Sequence, residues 1–403
     1  AYYLFKEDLF PDTATNSKGN NIGLNPQNII TYTIGFRTEG TANDLLRLTA
    51  ETCGGGAFFP ASSSSGLNAA LQAINSKINE TNSIFLAPAV PVNRTTRTSQ
   101  SDWLYLAYFR PQNTGEWFGN LKKFAIGKDG LVYGSDGSGN VDFTKPVVND
   151  YGMIDENACS FWTTFCNDGN EVTKGGVGSI LAGTEDSARK IYFYTGGTEK
   201  DLTDGSNAFT TNNASLIIPD ELIVNVRKFF DTESFKWKLG AIIHSEPAIV
   251  HYSNTQSVIY VGANDGMLHC FNDTDGKELW AFIPPGQKTK IESVFTDAKH
   301  DYYVDGSPSI VYGDLITGTH HFQPKYMIFG ERRGGTNYYV LDITDYNRPI
   351  WKYQISKDTL LPGSSGESLG ESWAKAKIGT IATATETMAG KLIHHSGTLQ
   401  NVF

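Results

Sequence analysis

The side chains able to do chemistry are four cysteines and eight histidines, with carboxylates scattered between them. His244-Ser245-Glu246 sets an imidazole, a hydroxyl and a carboxylate in succession, the ingredients of nucleophilic hydrolysis. The surrounding residues read as a strand, whose neighbours point to opposite faces, so His244 and Ser245 cannot meet as base and nucleophile. His269 reads as a packing imidazole inside a repeat unit. The pairs His320–His321 and His394–His395 sit in loops as possible metal ligands. Asp273 and Asp275 are the carboxylates that could hold a metal. Asp273-Thr274-Asp275-Gly276-Lys277-Glu278 is too short for the usual calcium cage, however, and reads as a solvated turn. Gly175-Gly176-Val177-Gly178-Ser179 lacks the Lys of a phosphate loop and reads as flexible loop. Cys159 and Cys166 bracket a polar, Gly-rich loop, which predicts a disulfide and an oxidising compartment. Cys53 and Cys270 have no evident partner.

Composition narrows the classes. Net charge is −10, and the densest basic pairs, Lys122–Lys123 and Arg332–Arg333, read as solvated strand or turn, which excludes a nucleic-acid face. No apolar run is long enough to span a membrane, and Ala1 opens into folded-looking sequence, so any signal peptide is expected to have been removed or to lie outside this sequence. Aromatics at 12% and 41 glycines favour short strands and tight turns.

The elements that must position these groups change character along the chain. Residues 1–80 read as the end of an α/β domain. The run 28–36 is a strand, and a helix capped by Asn43 or Asp44 turns Leu45, Leu48 and Thr52 to one stripe. A strand at AFFPA follows, then a helix capped by Ser64 or Ser65 with Leu67, Leu71, Ile74 and Ile78 on one face. Residues 81–101, rich in Pro, Thr and Ser, form a linker or a wrapping segment. From 102 the period is two. Trp103 to Phe109 is apolar on both faces, so that strand is central, and a GKDG turn leads from the next strand to its partner.

A repeat sets the architecture of 102–403. Ser245-Glu246-Pro247-Ala248 is echoed 61 residues later around Pro308, and each copy leads into a β-rich run, an acidic turn and a Trp-bearing strand (ELWAFI, PIWKYQI). A third copy begins at LGESW. Four strands per unit describe a β-propeller blade, and the expected fold is mainly β with a partial α/β segment at the N-terminus. In GANDGMLH, Gly262 and Gly266 permit tight turning, Asn264 and Asp265 bond their own backbone, and Trp280 fills the space between blades.

The early segment, ITYTIGF and LLRLTAETCGGGAFFPASSSSGLNAALQAI, resembles the C-terminal part of a von Willebrand factor A domain. That family's Asp-x-Ser-x-Ser metal motif is absent, so no ligand is carried over. The blade grammar is shared with quinoprotein dehydrogenases, but their vicinal cysteine pair is missing, which leaves that enzyme as the minor alternative. More specifically, LGAIIHSEPAIV, SVIYVGANDGMLHCFNDTDGKELWAFIPP and HDYYVDGSPSIVYGD resemble the propeller of PilC/PilY-type type IV pilus tip-associated proteins. His244, Ser245, Pro247, Gly262, Asn264, Asp265, Gly266, His269, Trp280, Asp305 and Gly306 carry that signature. The resemblance implies a non-enzymatic protein at the extracellular pilus tip, in contact with the outer membrane or passing through the periplasm. It would act in pilus assembly, twitching and adhesion, with minor pilins and a host or abiotic surface as partners. It leaves calcium possible in a loop not seen in this chain. The blades in 102–403 fall short of a ring, so the chain is expected to be a fragment of a longer protein or to have its ring completed by a second fragment; an unrelated extracellular propeller scaffold is the other reading. Loops at 134–188 and 285–303 are the candidate binding rims.

Overall fold

The computed structural model describes Tyr2 and residues 29–79, 83–84, 102–112, 114–148, 154–163, 166–297, 300–313, 323–356, 370–376, 379–381, 387–388, 391–392 and 400–402. His320–His321 and His394–His395 lie outside the described residues. The chain divides into two compact units, one of residues 1–81 with 148–155, the other of 82–147 with 156–403.

In the first unit, strands β1 (Thr31–Phe36) and β2 (Gly55–Ala61) pair in parallel. Helix α1 (Thr41–Arg47), continued by a π-helical turn, connects them, and α2 (Ser64–Asn79) follows. The strand–helix order is as the sequence indicates, but the details differ. Gly40 precedes α1, so Asn43 and Asp44 lie within its first turn, where Asp44 complements the helix dipole. Leu45, Leu48 and Leu71 are exposed. The buried apolar residues are Phe58 and the small Ala50, Ala61 and Ala70, side chains that let the helices sit close to the two strands. Ser63, one residue earlier than expected, caps α2 by accepting from Gly66 N.

The second unit is mainly β. Among the described residues it holds three sheets of four or five strands, each built on a meander of antiparallel neighbours, with one parallel strand added to the second. The first runs in chain order through β3 (Ser83–Ile84), β4 (Asp102–Arg110), β5 (Phe118–Ile126), β6 (Val132–Ser135) and β7 (Val141–Pro146). Two residues of the expected linker therefore form an edge strand, and the rest of 85–101 lies outside the described residues. The second sheet is β11 (Ala248–His251), β12 (Ser257–Gly262), β13 (Leu268–Asn272) and β14 (Glu278–Ile283), with β8 (Ile191–Phe193) added in parallel along the outer edge of β14. The third is β15 (Ser309–Tyr312), β16 (Pro324–Gly330), β17 (Tyr338–Asp342) and β18 (Ile350–Ile355). Between β8 and β11 lie a helix (Asp220–Lys228) and a small hairpin, β9 (Phe230–Asp231) with β10 (Lys236–Trp237).

These sheets are blades, and the core lies between them. Alternation along β12 and β13 sends Ile259, Val261 and Phe271 toward Tyr105, Ala107 and Leu121 of the first blade. Val258, Tyr260, Leu268 and Cys270 go toward Met327, Phe329, Tyr339 and Leu341 of the third. The glycine run at 175–179 is not flexible loop: Gly176–Ala182 is a helix whose Val177 and Leu181, four residues apart, join the core between the first two blades.

Candidate functional site

The signature residues converge on the seams between blades. His244, Ser245 and Glu246 bond Asp305, Gly306 and Ser307, each exactly one repeat of 61 residues away, so the two motif copies lie side by side. His244 Nδ1 is 2.6 Å from Asp305 Oδ2, and His244 N donates to Oδ1 at 3.2 Å. Ser245 Oγ donates to Gly306 O at 3.1 Å and accepts from Gly262 N at 2.9 Å, so its hydroxyl serves the backbone. Burial pushes the Asp305 carboxyl up, against the opposing pull of His244. Asn264 Oδ1 accepts from Tyr303 N at 2.8 Å, and Pro247, buried at the entry to β11, needs no ladder donor. Gly262 and Gly306 are required by proximity: an added Cβ would lie 2.3 Å from Val304 O and 2.2 Å from Gly330 O respectively. Gly266 lies in the turn between β12 and β13. Trp280 is buried in the seam to the third blade, donating from Nε1 to Tyr346 O at 2.7 Å. His244→Ala takes a hydrogen-bond partner from buried Asp305 and should cost about 1–3 kcal/mol in urea unfolding; an unchanged midpoint would mean the pair is idle.

His269 does more than fill space. The ring is fully buried, Nε2 lies 3.1 Å from Asp265 Oδ2, and Nδ1 lies 2.8 Å from Glu278 Oε1. Both nitrogens face carboxylates, which suits only the doubly protonated ring. Burial opposes that charge, yet Asp265 and Glu278 outweigh it and raise His269 to about 9. Glu278 in turn accepts a two-pronged bond from buried Arg189, both contacts 2.9 Å, and Asp265 accepts from Gly240 N at 2.8 Å. Asp265, His269, Glu278 and Arg189 therefore form an alternating, neutral chain of charges through the blade.

Lys122 and Lys123 are not solvated. β5 is covered on both faces, so adjacent residues are buried on opposite sides of the sheet. Lys122 Nζ bonds the carbonyls of Asp168 and Glu171 and lies 3.5 Å from Asp168 Oδ2. Lys123 crosses to the second blade, 2.8 Å from Asp273 Oδ1, where Tyr105 also donates at 2.7 Å. Asp273, read above as a metal candidate in a solvated turn, is thus a blade-to-blade anchor. Asp275 caps Lys277 N and pairs with its ammonium. Among the described residues no three His, Cys, Asp or Glu side chains are grouped to hold a metal.

Cys159 and Cys166 form a disulfide just ahead of Asp168. Cys270 is buried and Cys53 half-buried, both as thiols. For a loop this short, replacing both bonded cysteines by serine should cost about 2–3 kcal/mol; reductant that leaves the melting temperature unmoved would contradict this. Sequence reasoning passed over Asp168 and Arg189, and read Lys122 and Glu278 as solvated. For the lysines a signal existed, because Leu121 and Phe124 flank them in an otherwise apolar strand.

With this geometry in place, comparison with known proteins is informative. Residues 245–379 match the model of the PilY1 beta-propeller domain. This part of the chain is similar to the PilY1 propeller. The chain is 43% identical over 91 residues to the type IV pilus biogenesis factor PilY1 of Pseudomonas aeruginosa, covering 22% of this chain and 7% of that protein. It is 40% identical over 108 residues to a PilY1 homolog of Xylella fastidiosa, covering 25% and 8%. The chain therefore aligns with less than a tenth of these relatives' own length. The crystal structure of the P. aeruginosa PilY1 C-terminal domain aligns with 31% identity over 32% of this chain and 23% of that one, at a TM-score of 0.24. The PilY1 match takes in the Ser245 motif, the charge chain from Asp265 to Glu278, and Asp305.

Proposed function

We propose that the chain is part of a type IV pilus-associated protein that acts by binding, in pilus assembly, twitching motility and surface adhesion. The observation that carries this is the PilY1 propeller match over residues 245–379, together with relatives named as pilus biogenesis factors. The geometry supports a binding role: Ser245, His269 and Asp273 are each engaged in joining or bracing blades. On this reading the partners are minor pilins, a host or abiotic surface, and a second fragment that completes the propeller. The location is the cell surface at the pilus tip; no described helix is long and apolar enough to cross a membrane. The α/β unit is proposed to be the end of a von Willebrand A-like domain, and calcium is proposed to bind, if anywhere, outside the turns described above. The test is capture of the native protein from sheared pili, with intact-mass analysis of what accompanies it, alongside a deletion strain scored for surface pili and twitching. Co-purifying minor pilins and a non-twitching deletion are expected; a deletion with normal pili, twitching and attachment would refute the proposal.

A further inference from the structure

Two arginines beside the seam of the second and third blades are left without an oxyanion in hydrogen-bonding range. Arg332 and Arg333 occupy the turn after β16, and Arg332 takes φ 50°, a left-handed conformation uncommon outside glycine. Ser372 Oγ holds this turn by accepting from Glu331 N at 2.8 Å and Arg332 N at 3.1 Å. The nearest carboxylate to Arg332 is Asp305, with Nε 4.0 Å from Oδ2, but that oxygen already lies 2.6 Å from His244 Nδ1. Arg332 Nε is consequently buried with no hydrogen-bond partner. Arg333 makes no ion pair among the described residues. An enclosed donor without an acceptor is costly, and guanidinium groups ordinarily resolve it by a two-pronged bond to an oxyanion.

The surroundings say which oxyanion. Arg332 lies over the ring of Trp373 at 5.3 Å, and Arg333 over that of Tyr302 at 4.7 Å. Stacking occupies the faces of the guanidinium groups and leaves their N–H edges available. Tyr302 also packs on His244, so Arg332, Asp305, His244, Tyr302 and Arg333 close a circle of contacts. Trp373 is 49% exposed, an apolar platform beside the charge. A phosphate dianion would meet Asp305 beside Arg332 and Glu371 beside Trp373 in a chain of net charge −10, whereas a single carboxylate on an apolar stem suits both the arginines and the rings. We propose that Arg332 and Arg333, with Trp373 and Tyr302, form a site for a carboxylate of a partner peptide next to an apolar or aromatic side chain. The proposal does not rest on the pilus reading.

The test follows arginine Nε–Hε signals of the full chain labelled with 15N-arginine, assigned from R332K and R333K. Four probes are used: end-blocked Gly-Phe-Glu-Phe-Gly, its Gln counterpart, that Gln peptide with a free C-terminus, and inorganic phosphate. The expected result is a saturable shift of both signals with the Glu peptide or the free C-terminus, at a Kd of about 1 mM, and none with the blocked Gln peptide. Which carboxylate peptide binds tells a side chain from a chain terminus. R332A and R333A should each weaken binding about tenfold; Arg333 is exposed, so R333A keeps the test valid should R332A not fold. No saturable shift, equal response to the blocked Gln peptide, response to phosphate alone, or unchanged affinity in R333A would overturn the proposal.

Discussion

Asp168→Ala is expected to destabilise the second unit by about 3–5 kcal/mol, read from urea unfolding followed by tryptophan fluorescence. The reason is the ammonium it leaves behind. Lys122 is completely buried, and Asp168, itself 1% exposed, is the carboxylate beside it. Ser160 fixes that carboxylate from N at 2.8 Å and from Oγ at 2.5 Å, while the carbonyls of Asp168 and Glu171 supply the remaining acceptors. Burial lowers Lys122 to about 8 even with Asp168 present. The unfolded lysine holds its proton to about 10.5 and the folded one releases it near 8, so this group makes stability rise with pH across that window. Without Asp168 the rise should begin lower and be larger. Lys122→Met added to Asp168→Ala should recover part of the loss, since it removes the stranded charge. A loss below about 1 kcal/mol in Asp168→Ala would show that backbone carbonyls alone satisfy Lys122.

Glu278→Ala should cost a similar 3–5 kcal/mol, because it strands Arg189 and breaks the charge chain at its centre. Here the pH signature has the opposite sign. His269 is raised to about 9 from 6.5, so its contribution is complete below pH 6.5 and lost as pH climbs through 9. Glu278 is lowered to about 2: burial raises it, but Arg189 and His269 overcome that, so its contribution holds above about 4.5 and is lost toward pH 2. His269→Gln should therefore remove the fall in stability between pH 6.5 and 9 and leave the Lys122 rise between 8 and 10.5 uncovered. A wild-type slope that persists in His269→Gln would place the titrating group elsewhere.

Much of the architecture was legible because period and repeat report burial directly. The alternation in SVIYVG and LHCFN assigns inner faces, and the recurrence of Ser245-Glu246-Pro247 sets the blade length that the structure shows as a hydrogen-bonded register. What misled was charge. Lys122–Lys123 and Asp273 were read as solvated because an isolated buried charge is unfavourable, and a single sequence does not reveal partners 46 and 150 residues away. Likewise Gly175–Ser179 has poor helix formers, and packing of Val177 and Leu181 overrides them. Leu45, Leu48 and Leu71 show the reverse error, apolar periodicity without burial.

Strand β8 has a consequence for how the chain is made. Ile191–Phe193 emerges from the ribosome well before its partner Ala281–Ile283, and parallel pairing admits no hairpin shortcut. The segment IYF can bridge early to Ala208 and Phe209 on one side, but its edge toward β14 must wait until the whole second blade has followed it, making that blade a late-closing, slow-folding element. Arg189, two residues upstream, then locks onto Glu278 at the start of β14. A truncated chain ending before Glu278 would thus expose a sticky edge, and cellular quality control would meet it as an aggregation-prone intermediate rather than as a shorter version of the same protein.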